Sequence, residues 1–272
     1  MTDNNANDKD VIRSNKITRE EIYNYDFTKN RITDSFLFKI IYYDTSGNQF
    51  AVIQDPNLGK VNKGTNVLGA VTTYRYIYDS TGKLRKRISN NPDLNGQINF
   101  EYQYDSLGNL KNKFIYNEDT SSLKIENREY NTRNQVTKLF LKINNADLYN
   151  SGQNFYNEAG YLIKESVLND KGNVIYSHLY DYSLFPDKKI IYIETKDSKR
   201  LASELFYNKF NQLIKENSDL NERVSPNDQV TDYEKYLGVT EYSYNDDKTF
   251  FQWTRYSMGK KSQLTRHYYF KK

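Results

Sequence analysis

Apolar and polar positions alternate with a period of two through much of this chain. In Asn99–Tyr104 the rings of Phe100, Tyr102 and Tyr104 are separated by Glu101 and Gln103, and Tyr74, Tyr76 and Tyr78 keep the same phase one unit earlier. That period belongs to a strand with one buried face. No stretch sustains helical periodicity beyond two turns. These alternating runs end in Tyr-Asp or Tyr-Asn, and in six of the seven full copies Gly or Asn follows three residues later. The Asp/Asn position falls at 44, 79, 105, 131, 157, 181, 208 and 245, so the steps are 35, 26, 26, 26, 24, 27 and 37 residues. A fixed period of this length marks a repeat architecture.

Comparison of the copies assigns the turn. Asp44, Asp79, Asp105, Asn131, Asn157 and Asn208 are Asx residues able to bond the backbone two residues on. Gly47, Gly82, Gly108, Asn134, Gly160 and Asn211 stand three places later, and Gly and Asn are the residues that best accept a left-handed conformation. These twelve are read as structural turn residues of short hairpins. Lys248 breaks the rule and is expected to mark a strained or altered turn. Return strands open on Leu84, Leu110, Val136, Leu162, Leu213 and Phe250; the first copy has Gln49 there. Two strands per unit over eight units give an all-β, antiparallel up-and-down meander of repeated β-hairpins, about 14 to 18 strands in all. A sheet that large is expected to form a rolled or spiral sheet with its aromatic stripe inside. Residues 1–15 read as a disordered polar leader and 16–272 as a single repeat domain.

Composition sharpens this picture. The chain has 272 residues, 37% hydrophobic, with mean hydropathy −0.91. Its 26 Tyr and 14 Phe supply the amphipathic rings that half-buried sheets use. Net charge is only +4, with the signs interspersed, which argues against nucleic acid as a partner. The densest basic run, Lys83, Arg85, Lys86 and Arg87, reads as a solvated face. Zero cysteine removes disulfides and thiolate chemistry. No apolar run reaches the length of a membrane helix, and outward Glu, Gln, Lys, Arg and Asn oppose a lipid-facing barrel, so the chain is read as not membrane-spanning. The polar start at Met1 fits a cytoplasmic protein, and equally the tether of an envelope or secreted protein whose export signal lies elsewhere.

Candidate chemistry is sparse. His178 and His267 are the two histidines and sit in no metal motif; no nucleophile elbow occurs; single turn carboxylates, Asn in four of seven full copies, make a poor calcium ladder. No catalytic residue, metal or cofactor is assigned. Two insertions break the period, at 57–70 and 218–238. Loops inserted in repeat arrays often lie on a binding face. Lys60 and Lys63 in the first, and Asp232, Tyr233 and Tyr236 in the second, are the candidate binding residues. The tyrosine stripe itself offers planes suited to sugars or extended peptides, although its phase points first to packing.

Tyr76-Ile77-Tyr78-Asp79-Ser80-Thr81-Gly82-Lys83-Leu84 and Tyr102-Gln103-Tyr104-Asp105-Ser106-Leu107-Gly108-Asn109-Leu110 resemble the unit of bacterial YD-repeat, or Rhs-type, proteins. Over 22–270 the chain looks like a small member from Bacteroidetes-type bacteria. Large members of that family wind the repeat into a shell around a toxin; here the length and the absent toxin segment oppose that role. The resemblance implies a non-enzymatic repeat scaffold or binding module at the cell envelope or surface, with a protein or glycan partner. Two alternatives stay open: an immunity-type protein that neutralises a cognate interbacterial toxin, and a glycan-binding or glycan-active protein.

Overall fold

The structure is a computed structural model that describes residues 9–28, 31–54, 71–91, 96–118, 123–220, 236–257 and 260–271. Within the expected leader, a short helix α1 (Lys9–Ser14) buries Ile12. Eighteen strands follow among the described residues. The first six are β1 (Ile17–Thr28), β2 (Arg31–Tyr43), β3 (Gln49–Gln54), β4 (Val71–Tyr78), β5 (Leu84–Asn91) and β6 (Gly96–Tyr104). Then come β7 (Leu110–Asn117), β8 (Leu123–Tyr130), β9 (Val136–Ile143), β10 (Tyr149–Tyr156), β11 (Leu162–Leu168) and β12 (Val174–Asp181). The last are β13 (Lys188–Glu194), β14 (Lys199–Tyr207), β15 (Leu213–Leu220), β16 (Tyr236–Tyr244), β17 (Phe250–Ser257) and β18 (Lys260–Lys271).

The antiparallel meander of hairpins is as expected: each strand is bonded to the next in sequence. Its end differs from the expected rolled or spiral sheet, because the pairing closes on itself into an 18-stranded barrel topology. Strand β1 pairs with β2 from Arg19↔Tyr42 to Thr28↔Arg31, and with β18 from Ile17↔Lys271 to Tyr25↔Leu264. Closure removes the two edges that an open meander exposes. By internal contacts the chain divides into two compact units, one of Met1–Thr73, Phe185–Lys188 and Ser203–Lys272, the other of Tyr74–Leu184 and Lys189–Ala202.

The turns show why Asp and Asn interchange. In each of the copies at 44, 79, 105, 131 and 208, the Oδ1 atom accepts the backbone N–H groups two and four residues on; at Asp105 the distances are 2.9 Å from Leu107 and 2.8 Å from Asn109. Both residue types carry that oxygen. The second carboxamide or carboxylate atom is matched by the residue at the fourth place. Asp44 and Asp105 accept from the amides of Asn48 and Asn109, whereas Asn131 and Asn208 donate to the oxygens of Gln135 and Gln212. The position before it is left-handed, with φ +79° at Gly47, +80° at Gly82, +60° at Asn134 and +58° at Asn211. Lys248 takes φ +66° and keeps both backbone bonds of the turn, so what is altered there is the cap: Asp247, not Asn245, accepts the Thr249 N–H. One turn of the same geometry, Asn169–Gly172, was not marked by the repeat because Leu168 stands where the tyrosine should be.

In four copies the tyrosine of the repeat is half-buried and hydrogen-bonded rather than sealed in a dry core. Tyr104, Tyr130, Tyr156 and Tyr244 donate to the main-chain carbonyls of Leu84, Leu110, Val136 and Leu213, the residues that open the previous return strands. Successive hairpins are thereby tied by a phenol that phenylalanine could not replace. Strands β7, β8 and β9 contain no fully buried residue, so the sheet there has two half-wet faces in place of the single buried face the alternation suggests. Cations cover ring faces instead, as Arg87 does over Phe100 at 4.0 Å. The dry cluster is aliphatic and local: Ile12, Ile17, Ile22, Ile41 and Tyr43, backed by Phe38, Val52 and Tyr269.

Two outcomes follow for stability in urea. Gly82→Ala meets no atom within 4 Å of its added carbon and should cost only the left-handed strain, roughly 1–2 kcal/mol. Gly47→Ala should cost clearly more, because its carbon would lie 2.6 Å from the Lys9 carbonyl oxygen; equal losses would contradict the turn geometry. Tyr130→Phe and Tyr156→Phe should each lose about 1 kcal/mol by stranding a carbonyl, against little change for Tyr149→Phe.

Candidate functional site

In the second unit, a cleft of about 630 Å³ opens beside the degenerate copy of the repeat at Tyr180-Asp181. Its walls come from the turn after β10, from β11, β12 and β13, and from the first residue of β14. At this copy the Gly or Asn is absent; Asp181 caps only the Ser183 N–H, at 2.8 Å, and a longer turn runs to Asp187 through a cis Phe185–Pro186 bond. Tyr182 thereby enters a position that no other copy fills with a ring. It stacks on Tyr161 with centroids 5.0 Å apart and planes 23° from parallel. Tyr161 remains 42% exposed at the cleft.

Polar groups surround this pair. Asn157 and Asp181 line the cleft with Tyr180, Tyr192 and Lys199. The Lys199 ammonium stands 4.7 Å over the Tyr192 ring. Lys189 lies 5.5 Å from the Tyr180 centroid and 5.9 Å from that of Tyr182. Burial lowers the Lys189 pKa from the ordinary lysine value. The Asp181 carboxyl is held below its usual range by the Ser183 N–H and hydroxyl, with Lys199 adding to the effect. Tyr180 and Tyr182 are both pushed up, chiefly by burial, and Tyr180 further by Glu165, whose carboxylate it meets at 2.9 Å. The phenols therefore act at neutral pH as donors and apolar planes, not as phenolates.

A second constellation sits at the seam of the first unit. Glu20 of β1 is 4% exposed and accepts from Tyr43 of β2 on one side while meeting His267 Nδ1 of β18 on the other. Burial, then Glu20, raises the Tyr43 pKa strongly. All three side chains are at most 7% exposed, so they clasp three strands and offer no atom to a substrate. A similar carboxylate, Glu204, binds Lys188, Tyr236 and Asn217; burial pushes its pKa up, but those partners outweigh it and hold it low. Beside α1, a smaller cavity of about 340 Å³ is lined by residues that include Ile12, Lys16 and Asp44.

Of the candidate insertion residues, Lys60, Lys63, Asp232 and Tyr233 lie outside the described residues. Tyr236 is corrected: it begins β16, is 1% exposed and donates to Glu204, so it is a packing residue and not part of a loop surface. The six Asx residues and the six Gly or Asn residues assigned to turns occupy those turns, at 44–47, 79–82, 105–108, 131–134, 157–160 and 208–211. The cleft was missed, although its signal is visible as Tyr-Asp-Tyr at 180–182, where a ring stands in a place that the other copies fill with a polar residue. Among the described residues no group of three His, Cys, Asp or Glu is placed to hold a metal ion, and no helix is long and apolar enough to cross a membrane.

The class these features define is an antiparallel β-meander of closed pairing with an aromatic cleft. No protein-family model matches the chain, and no curated protein does, so the YD-repeat likeness rests on the turns themselves. Among solved structures the chain is similar to a porin-like protein from Bacteroides uniformis, at 10% identity and TM-score 0.45, over 93% of this chain and 98% of that one. It is also similar to parts of TcdB2-TccC3-Cdc42, at 12% identity, TM-score 0.38, 85% of this chain and 11% of that one. For TcdB2-TccC3 the values are 12%, 0.36, 91% and 19%.

Proposed function

We propose that the chain is a non-enzymatic binding module of the bacterial cell envelope or surface, and that its ligand is a glycan held in the Tyr161–Tyr182 cleft. One observation carries this reading: two stacked tyrosine rings, one of them 42% exposed, at a break in an otherwise regular repeat. A sugar ring has an apolar face that lies on an aromatic plane and a rim of hydroxyls that seek polar partners. Asn157, Asp181 and Lys199 supply those partners within the same cleft. The volume suits a short oligosaccharide, since ligand sites commonly span about 300–1,000 Å³. An extended peptide is favoured less, because strand addition needs an open sheet edge and the pairing of β1 with both β2 and β18 leaves none there.

Calorimetric titration against a panel of soluble oligosaccharides tests the reading. Tyr161→Ala and Tyr182→Ala should each weaken binding by about tenfold or more, while Tyr130→Phe, outside the cleft, leaves it unchanged. Binding that survives both alanine substitutions, or a panel with no binder, would refute it.

A further inference from the structure

Some lysines of the second unit pair with carboxylates and others, such as Lys83 over the Tyr104 ring, stand against aromatic faces. Five of them, among them Lys86, Lys113 and Lys164, form ion pairs with glutamates, at 3.2 Å to Glu101, 3.3 Å to Glu126 and 2.8 Å to Glu194. Lys189 and Lys199 do not: among the described residues, neither has a carboxylate within ion-pairing distance, and each stands over a tyrosine ring of the cleft. Lys189 is half-buried as well. An ammonium withdrawn from water without a counter-charge is destabilising, and an arriving anion relieves it. The cleft's own carboxylate cannot serve, because Asp181 spends Oδ1 on the Ser183 N–H and feels Lys199 only through space.

We infer that the saccharide taken by this cleft is acidic, a sugar bearing a carboxylate that Lys199 pairs directly and Lys189 attracts from behind the Tyr180 and Tyr182 rings. The inference rests on the reading of the cleft as a glycan site. Stacking on Tyr161 then supplies affinity for the ring, and the two ammonium groups supply the choice between charged and neutral sugars. The Asp181 carboxylate disfavours a second carboxylate on its own side, which fixes the direction in which the sugar enters.

The full chain should be titrated with two matched pairs, trigalacturonate against its methyl ester and sialyllactose against lactose. At least one acid should bind about tenfold or more tighter than its neutral mate, and added sodium chloride should narrow the gap. Lys199→Met and Lys189→Met keep the apolar stem and should erase the preference, while circular dichroism stays unchanged and neutral sugars still bind. Neutral mates that bind as well as the acids, or lysine variants that keep the preference, would overturn the acidic assignment and leave the glycan reading standing. An acid that binds equally to Tyr161→Ala, or acetate that competes as well as the sugar acid, would overturn both.

Discussion

A strand that ends a sheet leaves half of its N–H and C=O groups unpaired, and the rest of this structure is arranged around removing that defect. β1 does so by pairing on both sides, with β2 from the start of the chain and β18 from its end. Where those strands meet, the protein places its driest cluster, Ile12, Ile17, Ile22, Ile41 and Tyr43, and a buried carboxylate, Glu20, that bonds to one residue on each neighbour. The apolar side chains drive the strands together. The Glu20 contacts set their register, because a slip of one residue would turn the carboxylate to the opposite face.

Elsewhere stability is distributed through small polar terms. Five of the repeat's hairpins, at 44, 79, 105, 131 and 208, are set by one Asx oxygen capping two N–H groups and by a left-handed residue that lets the chain reverse. Four hairpins are then tied to the one before by a tyrosine hydroxyl. A further series of phenols meets glutamates on other strands: Tyr180 with Glu165 at 2.9 Å, Tyr242 with Glu216 at 3.2 Å, and Tyr116 with Glu101. This accounts for a composition rich in tyrosine and poor in aliphatic residues. A sheet wet on both faces needs side chains that are apolar along their length and polar at the tip.

Local chemistry was legible in the sequence and long-range chemistry was not. The Asx and Gly or Asn positions marked the turns because their backbone demands are met by few residue types, and the strands followed from the turns. The Asn169 turn escaped because its tyrosine is missing. Closure escaped because Glu20 and His267 are 247 residues apart and nothing in either segment announces the other. The period-two alternation suggested one dry face, yet the polar positions carry Lys and Glu that pair across strands, which keeps both faces half-wet. Tyr236 read as a loop residue because it falls within the 218–238 insertion, although it packs against Glu204, a partner 32 positions earlier. The cleft was a departure from the repeat, and departures are visible only after the rule they break is known.

Amide hydrogen exchange along β1 is the most direct test of closure. Successive amides of an antiparallel strand point to opposite neighbours, so Arg19–Tyr25 reports on both sides of the seam at once. A closed sheet predicts that the amides facing β18 and those facing β2 exchange slowly and to a similar degree. Fast, unprotected exchange confined to the set that faces β18 would show an open edge and contradict the account.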